Sequence, residues 1–296
     1  MNFVSEFRRD LELRQLRKHS IENYTSDIKH FLRYNPDPRK VGHNDLQNYL
    51  QELLRKDLSD STLKSYFISL NAFFDYLVYE NVLNENPVPP FRKRYLPRRT
   101  TQERRQEITV DTARTIIRRA GHIVDKTIHL LLAKTGLRRE ELIILREEDL
   151  KLSEWLIRAP LTGKRLEFRP VFLDDEMMLT FLDYLEWRDE YARSNHLFVS
   201  PVTGHKLHKD HPGKYLRKVG LELGIHNPDG PLDERLTPHC WRWFFTTQMH
   251  RAQMSEVYIK YLRGDVLGGR EAWEGYLSHD KDLIRMEYLR CAPQLL

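Results

Sequence analysis

Cysteine is nearly absent from this chain: 296 residues hold two, Cys240 and Cys291, with no C-x-x-C pair. That excludes a disulfide-stapled scaffold and a cysteine-based zinc knuckle. Long apolar runs are missing as well. No stretch of about 18 apolar residues could span a membrane. The N-terminal segment is charged at Glu6, Arg8, Arg9 and Asp10, where a secretory signal would be apolar. The chain is therefore expected to be soluble and intracellular. Neither a P-loop nor a G-x-G-x-x-G fingerprint occurs, so no nucleotide cradle is expected. Internal repeats and low-complexity tracts are absent. An acidic excess is lacking too: the formal net charge is +5 and the pI about 9.0. This argues against an acidified, salt-adapted proteome and hints at a polyanionic partner, whose condensed counterions Lys and Arg would release.

What is present is a well-mixed globular composition. Charged residues make up 31% and aromatics 11%, too apolar a balance for a disordered chain. The length suffices for two domains with separate cores.

Residues 1–91 read as all-helical. Phe3, Phe7, Leu11 and Leu13 give a first amphipathic stripe. Ser20 is placed to cap a second helix carrying Ile21, Tyr24, Ile28, Phe31 and Leu32, which Asn35-Pro36-Asp37-Pro38 would break. A third runs through Leu46, Tyr49, Leu50, Leu53 and Leu54. Ser61 is placed to cap a fourth, with Leu63, Tyr66, Phe67, Leu70, Phe74 and Leu77 along one face. Asn84-Glu85-Asn86-Pro87 is a stop, since proline disfavours a helical conformation in the residue before it. Four short helices predict a compact bundle.

Residues 92–106, RKRYLPRRTTQERRQ, carry seven basic side chains against one acidic. With Pro97 and few apolar residues, the run predicts a linker. Alone it is as readily a solvated tether as a strap along phosphates. Between two domains the strap is favoured, with Arg98, Arg99, Arg104 and Arg105 as its phosphate contacts.

From residue 107 the pattern is mixed. Asp111 is placed to cap a helix through Ile116 and Ile117, and Asp125 one through Ile128, Leu130, Leu131 and Leu132. Glu154 to Arg158 and Leu166 to Phe172 read as two short strands around Thr162-Gly163, a hairpin turn signal. Helical spacing returns at 174–191, 210–223, 237–252 and 255–262. The expected class is mainly α with a small β-sheet.

Three strings hold the residues able to carry chemistry. TGLRREEL sets Arg138 and Glu141 one helical turn apart; alone, such a pair is usually surface cover worth a few tenths of a kcal/mol. TGKR puts Lys164 and Arg165 on the hairpin tip, where a basic turn alone is usually only solvated. TPHCWRWFFTTQM places His239 and Arg242 at a helix start that Thr237 can cap and Pro238 can begin. Imidazole and guanidinium would then face one side and converge on one anion. Arg263-Gly264-Asp265 and Tyr276 follow. Two arginines, a lysine, a histidine and a tyrosine suit clamping a phosphodiester and attacking it with a phenol.

In this order the strings resemble the tyrosine recombinase (phage integrase) family, of the archaeal and bacterial integrase-like kind. The likeness is strong from about residue 108 to 280, and rests on helical pattern and domain order before that. It implies a helical, SAM-like core-DNA-binding domain at 1–91, a basic linker at 92–106 and a tyrosine recombinase catalytic domain at 107–296, closing as a clamp on duplex DNA. It implies Arg138 and Arg242 on the scissile phosphate, with Glu141 bracing the site. Lys164 would be general acid for the 5′-oxygen leaving group; Arg165 beside it would bind DNA and is a poor acid, since guanidinium stays protonated. His239 would act as acid or base, or donate to a phosphate oxygen. Tyr276 would be the nucleophile, with Tyr288 in the last helix as its competitor; Tyr258 and Tyr261 read as packing or surface cover. The resemblance implies no metal and no cofactor. It implies double-stranded DNA with inverted-repeat sites as partner, a monomer when free and a tetramer on two duplexes. The setting would be cytoplasmic and nucleoid-associated, without membrane.

Two positions depart from the family pattern. Trp243 follows the second arginine where many members have histidine, and Asp265 ends a box that commonly closes on histidine. An ionised aspartate cannot donate to phosphate and repels its charge, so Asp265 is expected to orient Arg242 or Tyr276. Tyr276 lies slightly farther from this box than usual, consistent with a small insertion at Gly268-Gly269. The expected activity is cutting and rejoining DNA through a 3′-phosphotyrosine, in integration, excision or dimer resolution. Two alternatives stay open: a DNA-binding protein of the same fold that has lost the chemistry, and a topoisomerase-like nicking and closing enzyme.

Overall fold

Apolar side chains at helical spacing build most of this protein. The computed structural model describes residues 2–96, 104–160, 168–265 and 280–296. The described residues form thirteen α-helices and one three-stranded sheet. The chain divides into two compact units, Met1–Gln102 and Glu103–Leu296.

In the first unit run α1 (Phe3–Leu13), α2 (Lys18–Leu32), α3 (His43–Leu54), α4 (Asp60–Tyr79) and α5 (Val88–Tyr95). Phe7, Ile28, Phe31, Tyr49, Phe67 and Phe74 meet in one core. Leu13 and Leu54 close their helices but point to solvent, so the inward stripes end at Leu11 and Leu53, two residues and one residue earlier than the spacing predicts. The start signals shift too. Arg17, not Ser20, is the N-cap of α2, and Ser59, not Ser61, caps α4 by accepting from Thr62 N at 3.3 Å.

The fifth helix corrects the expected linker. Val88, Phe91 and Tyr95 stand one turn and two turns apart, with Pro89 in the first turn, where its missing N–H costs nothing. Phe91 stacks on Phe67 with ring centroids 5.3 Å apart, and both Phe91 and Leu96 are buried. Burying such a ring stabilises by about 1.5–3 kcal/mol, enough to carry the start of the basic run into the bundle. Arg92, Lys93 and Arg94 thus ride in the last turn of α5, where the helix dipole favours cations.

The second unit contains α6 (Val110–Arg118), α7 (Ile123–Thr135) and α8 (Arg139–Ile144), then β1 (Leu150–Lys151), β2 (Leu156–Pro160) and β3 (Phe168–Phe172). After these come α9 (Asp175–Tyr191), α10 (His211–Glu222), α11 (Pro238–Arg251), α12 (Glu256–Arg263) and α13 (Lys281–Cys291). The caps of α6 and α7 are Thr109 and His122, which accept from Thr112 N and Val124 N at 3.1 Å each. Asp111 and Asp125, the expected caps, lie within the first turns, where a carboxylate still complements the dipole. The sheet is antiparallel in the order β1-β2-β3, with Leu156 opposite Phe172 and Ile157 opposite Val171. Strand β1, two residues long, is too short for alternation to signal it. Thr162-Gly163 lies outside the described residues.

Helix α7 is buried nearly all round and is the unit's central post. Its Lys134 is wholly buried and paired with Asp174 and Glu176. Glu176 in turn accepts from the backbone of Leu295 and Leu296, at 3.0 and 2.7 Å, fixing the chain's end. Trp241 Nε1 donates to His129 Nδ1 at 3.0 Å and seats α11 on α7. Burial pushes the His129 imidazole down to about 3, so it stays a neutral acceptor. No helix among the described residues is long and apolar enough to cross a membrane.

Candidate active site

Two helices end on left-handed glycines, and each glycine offers its carbonyl to an arginine. Gly136 closes α7 at φ +61; a Cβ there would lie 2.6 Å from the Phe245 ring, so only glycine fits. Its oxygen accepts from Arg242 Nη1 at 2.6 Å. Gly264 closes α12 at φ +63, and its oxygen accepts from Arg138 Nη1 at 3.4 Å. The Arg263 carbonyl between them takes Arg242 Nη1 at 3.0 Å and Arg138 Nη1 at 3.5 Å.

Arg138 precedes α8 as its N-cap, with extended backbone, where the spacing predicts a place on a helix face. Glu141, fully buried, folds back onto it: Oε2 accepts from Arg138 N and Oε1 from Arg138 Nη1, both at 2.9 Å. From β3, the buried Arg169 donates to the same Oε2 at 2.9 Å. Asp265 completes the cluster. Its Oδ1 accepts from Arg138 Nη2 at 2.9 Å and from Arg242 Nη2, and its Oδ2 lies 3.1 Å from Arg263 Nε.

Four guanidiniums, those of Arg138, Arg169, Arg242 and Arg263, thus face two carboxylates, Glu141 and Asp265. Among the described residues, two positive charges remain in excess. Arg138 keeps 37% of its side chain exposed and Arg242 only 3%, so the first can meet an incoming anion and the second underlies it. Burial pushes Arg242 down to about 10, helped by repulsion from Arg138 and Arg263 and opposed by Asp265 and Glu141. Even so it stays protonated near pH 7.

His239 and Arg242 do not present alike. Arg242 turns inward, while His239 is exposed, with Trp243 one turn further along and 43% exposed. The His239 pKa is lowered, first by partial desolvation and then by the positive charges of Arg105, Arg242, Arg263 and Arg138. The imidazole is therefore mostly neutral near pH 7 and lies within the field of the cluster. Arg105 belongs to this neighbourhood; Arg104 is exposed.

Tyr288 is buried against Phe172, with its hydroxyl 3.8 Å from Met177 Sδ. Burial, with Asp174 and Glu176 adding to it, holds this phenol well above its ordinary pKa. Tyr258 and Tyr261 pack partly buried against the core around Phe172. Lys164, Arg165, Tyr276, Arg98 and Arg99 lie outside the described residues, as does Gly268-Gly269. Among the described residues, no group of three or more His, Cys, Asp or Glu is placed to hold a metal ion.

Residues 99–264 match the Phage integrase family, and residues 4–81 match the Phage integrase, N-terminal SAM-like domain. The chain belongs to the phage integrase family. Tyrosine recombinase XerA of Saccharolobus solfataricus is 26% identical over 286 residues, covering 92% of this chain and 86% of that protein. Tyrosine recombinase XerD of Oceanobacillus iheyensis is 28% identical over 254 residues, covering 80% of each. Among solved structures, the Tn1549 transposon integrase in complex with circular intermediate DNA has a TM-score of 0.69 at 18% identity, covering 94% of this chain and 99% of that one. A lambda integrase dimer bound to a COC′ core site has a TM-score of 0.69 at 17% identity, covering 91% and 94%. These two share the fold. This integrase-family chain is a tyrosine recombinase, an enzyme of site-specific DNA recombination.

Two arginines of the cluster carry no motif signal that marks them out. Arg263 stands in the Arg263-Gly264-Asp265 string, where the departure at Asp265 draws the eye. Arg169 is available from strand alternation: Phe168 is exposed, and Arg169 shares the buried face with Val171. An arginine on the inward face of a strand needs a carboxylate partner, and Glu141 supplies it.

Proposed function

We propose that this recombinase cuts and rejoins double-stranded DNA through a 3′-phosphotyrosine, with Arg138 and Arg242 clamping the scissile phosphate. One observation carries the reading: a hydrogen-bonded cluster with, among the described residues, two positive charges in excess, opening to solvent at Arg138 and His239. A phosphodiester brings one negative charge, and its pentacoordinate transition state approaches two. Guanidiniums fixed before the reaction stabilise that gain without reorganising.

Tyr276 is the proposed nucleophile. Its oxygen forms a bond to phosphorus as the bond from phosphorus to the 5′-oxygen breaks. Lys164 gives its proton to the departing oxygen. His239, held mostly neutral, accepts the phenol proton or donates to a phosphate oxygen. A second 5′-hydroxyl then attacks the phosphotyrosine and restores the backbone, so the bond energy is kept. Burial of Tyr288 supports the choice of Tyr276, because a phenol inside the core reaches no DNA. Asp265 would orient Arg138 and Arg242 and not touch phosphate.

The helical first unit is proposed as the core-DNA-binding domain and the second as the catalytic domain. The DNA-bound integrases of the same fold support duplex DNA as partner. Inverted-repeat sites, four protomers on two duplexes and action on nucleoid DNA in the cytoplasm extend the reading by family resemblance. A duplex nicked beside the cleavage point tests the chemistry: it should trap the protein covalently at the 3′ side. Exchange of strands between two labelled duplexes should follow on intact sites. Binding without an adduct would refute the reading, and relaxation without exchange would make the enzyme a nicking and closing one.

A further inference from the structure

We propose that Arg169 is a positioning residue, setting Arg138 through Glu141. The inference rests on the reading of Arg138 as a phosphate clamp. Arg169 leaves β3 on the face of Val171, and its guanidinium is buried. Nη2 donates to Glu141 Oε2 at 2.9 Å, and Nη1 donates to the Leu262 carbonyl in the last turn of α12. The same Glu141 oxygen takes Arg138 N at 2.9 Å, and the other takes Arg138 Nη1 at 2.9 Å.

One buried guanidinium therefore holds two segments at once. It grips the carboxylate that grips Arg138, and it grips the helix end leading into Arg263, Gly264 and Asp265. Those two segments meet again at Asp265 Oδ1, on the other side of Arg138. Arg138 is thus held from both flanks, and Arg169 ties the flanks together. A buried ion pair adds little stability over an apolar pair of the same volume. What an apolar pair could not do is fix the Glu141 carboxylate in the orientation Arg138 needs. Lysine could not either, since its ammonium is a point charge without the rigid fork that serves two partners.

The test compares Arg169→Lys, Arg138→Ala and the double variant in the full chain, each checked for a thermal unfolding transition. Duplex affinity and single-turnover adduct formation on a nicked duplex are measured. Arg169→Lys should bind DNA as the parent does but form adduct about a hundred-fold more slowly, as a displaced clamp would. The double variant should react about as slowly as Arg138→Ala alone, because Arg169 acts through Arg138. Parent-like cleavage by Arg169→Lys, or losses that multiply in the double variant, would overturn the proposal. Parent-like cleavage by Arg138→Ala would overturn instead the clamp reading on which it rests. If Arg169→Lys does not fold, Glu141→Asp shortens the same brace from its other end and takes its place in the cycle, with the same outcomes.

Discussion

Asp265 Oδ1 lies 2.9 Å from Arg138 Nη2, and it also accepts from Arg242 Nη2. One carboxylate oxygen thus sits where two guanidiniums converge, a position that suits a phosphate oxygen equally well. Carboxylate and phosphate repel, so if Arg138 and Arg242 clamp the phosphate as proposed, Asp265 would weaken the grip on DNA while aligning the groups that make it. Asp265→Asn keeps the acceptor and drops the charge. It should bind duplex more tightly, by about 1 kcal/mol, and still form adduct. Asp265→Ala removes the shared anchor and should bind well but cleave poorly. Titration by fluorescence anisotropy beside a nicked-duplex assay separates the two effects; weaker binding by Asp265→Asn would refute the competition.

Tyr276→Phe should retain DNA affinity and lose the adduct, since only the phenolic oxygen is removed. Tyr288→Phe should cleave normally, because that hydroxyl is buried beside Met177 Sδ. The assignment fails if the adduct survives in the first variant and disappears in the second.

The helices are legible in the sequence because apolar spacing records which face is buried, and it does so for Phe7, Phe31, Phe67 and Ile128. Helix ends are less so. Ser59 and Ser61, or Thr109 and Asp111, are near-equal candidates by composition, and a polar residue serves well either as cap or in the first turn. Helix α5 is hidden because Phe91 and Tyr95 are interleaved with Arg92, Lys93 and Arg94, whose charges outweigh them in any window. In the site, the order of motifs points to Arg138, Glu141, His239 and Arg242. It offers Arg242 as a partner of Asp265 but does not reveal Arg138 as the other, since that bond joins Asp265 to a residue more than a hundred positions away. Periodicity carries no such pairing.

Stability should fall as the solution is acidified through the ordinary histidine range, and His129 is a named cause. Its folded pKa is depressed to about 3 by burial, with Asp125 opposing and His211 assisting. Unfolded, it takes its proton near pH 6.5. Between those values the unfolded chain binds the extra proton, so stability drops with falling pH, by about 1.4 kcal/mol per unit. The loss is complete once pH passes below the folded value. His129→Gln keeps an acceptor for Trp241 Nε1 and should remove one proton from the slope. Urea unfolding at about pH 7.5 and 5.5 compares the two chains; equal slopes would mean that His129 is charged in the fold.

Lys164, if it protonates the leaving oxygen, becomes dispensable when the leaving group needs no proton. A substrate with a 5′-bridging sulfur should largely rescue Lys164→Ala and should not rescue Arg242→Ala. Equal rescue of both, or of neither, removes the general-acid role from Lys164 and transfers attention to His239.

Arg104 and Arg105 adjoin in sequence but differ in surroundings, and this separates a strap from a tether. Arg104 is exposed, whereas Arg105 is partly buried and is the leading positive charge that depresses His239. If the basic run tracks the backbone, Arg98, Arg99 and Arg104 changed together to Gln should weaken binding to all sequences alike. The slope of log affinity against log salt should flatten by about 0.9 for each phosphate no longer neutralised. Site preference should persist, because side chains on phosphate position the protein and those on base edges specify the site. Arg105→Gln should do something further. Removing a neighbouring cation favours the protonated imidazole, so the His239 pKa should rise toward its ordinary value. Salt titrations and an NMR titration of His239 read the two effects independently. An unchanged salt slope in the triple variant would make the run a free tether, and an unmoved His239 in Arg105→Gln would take Arg105 out of the site.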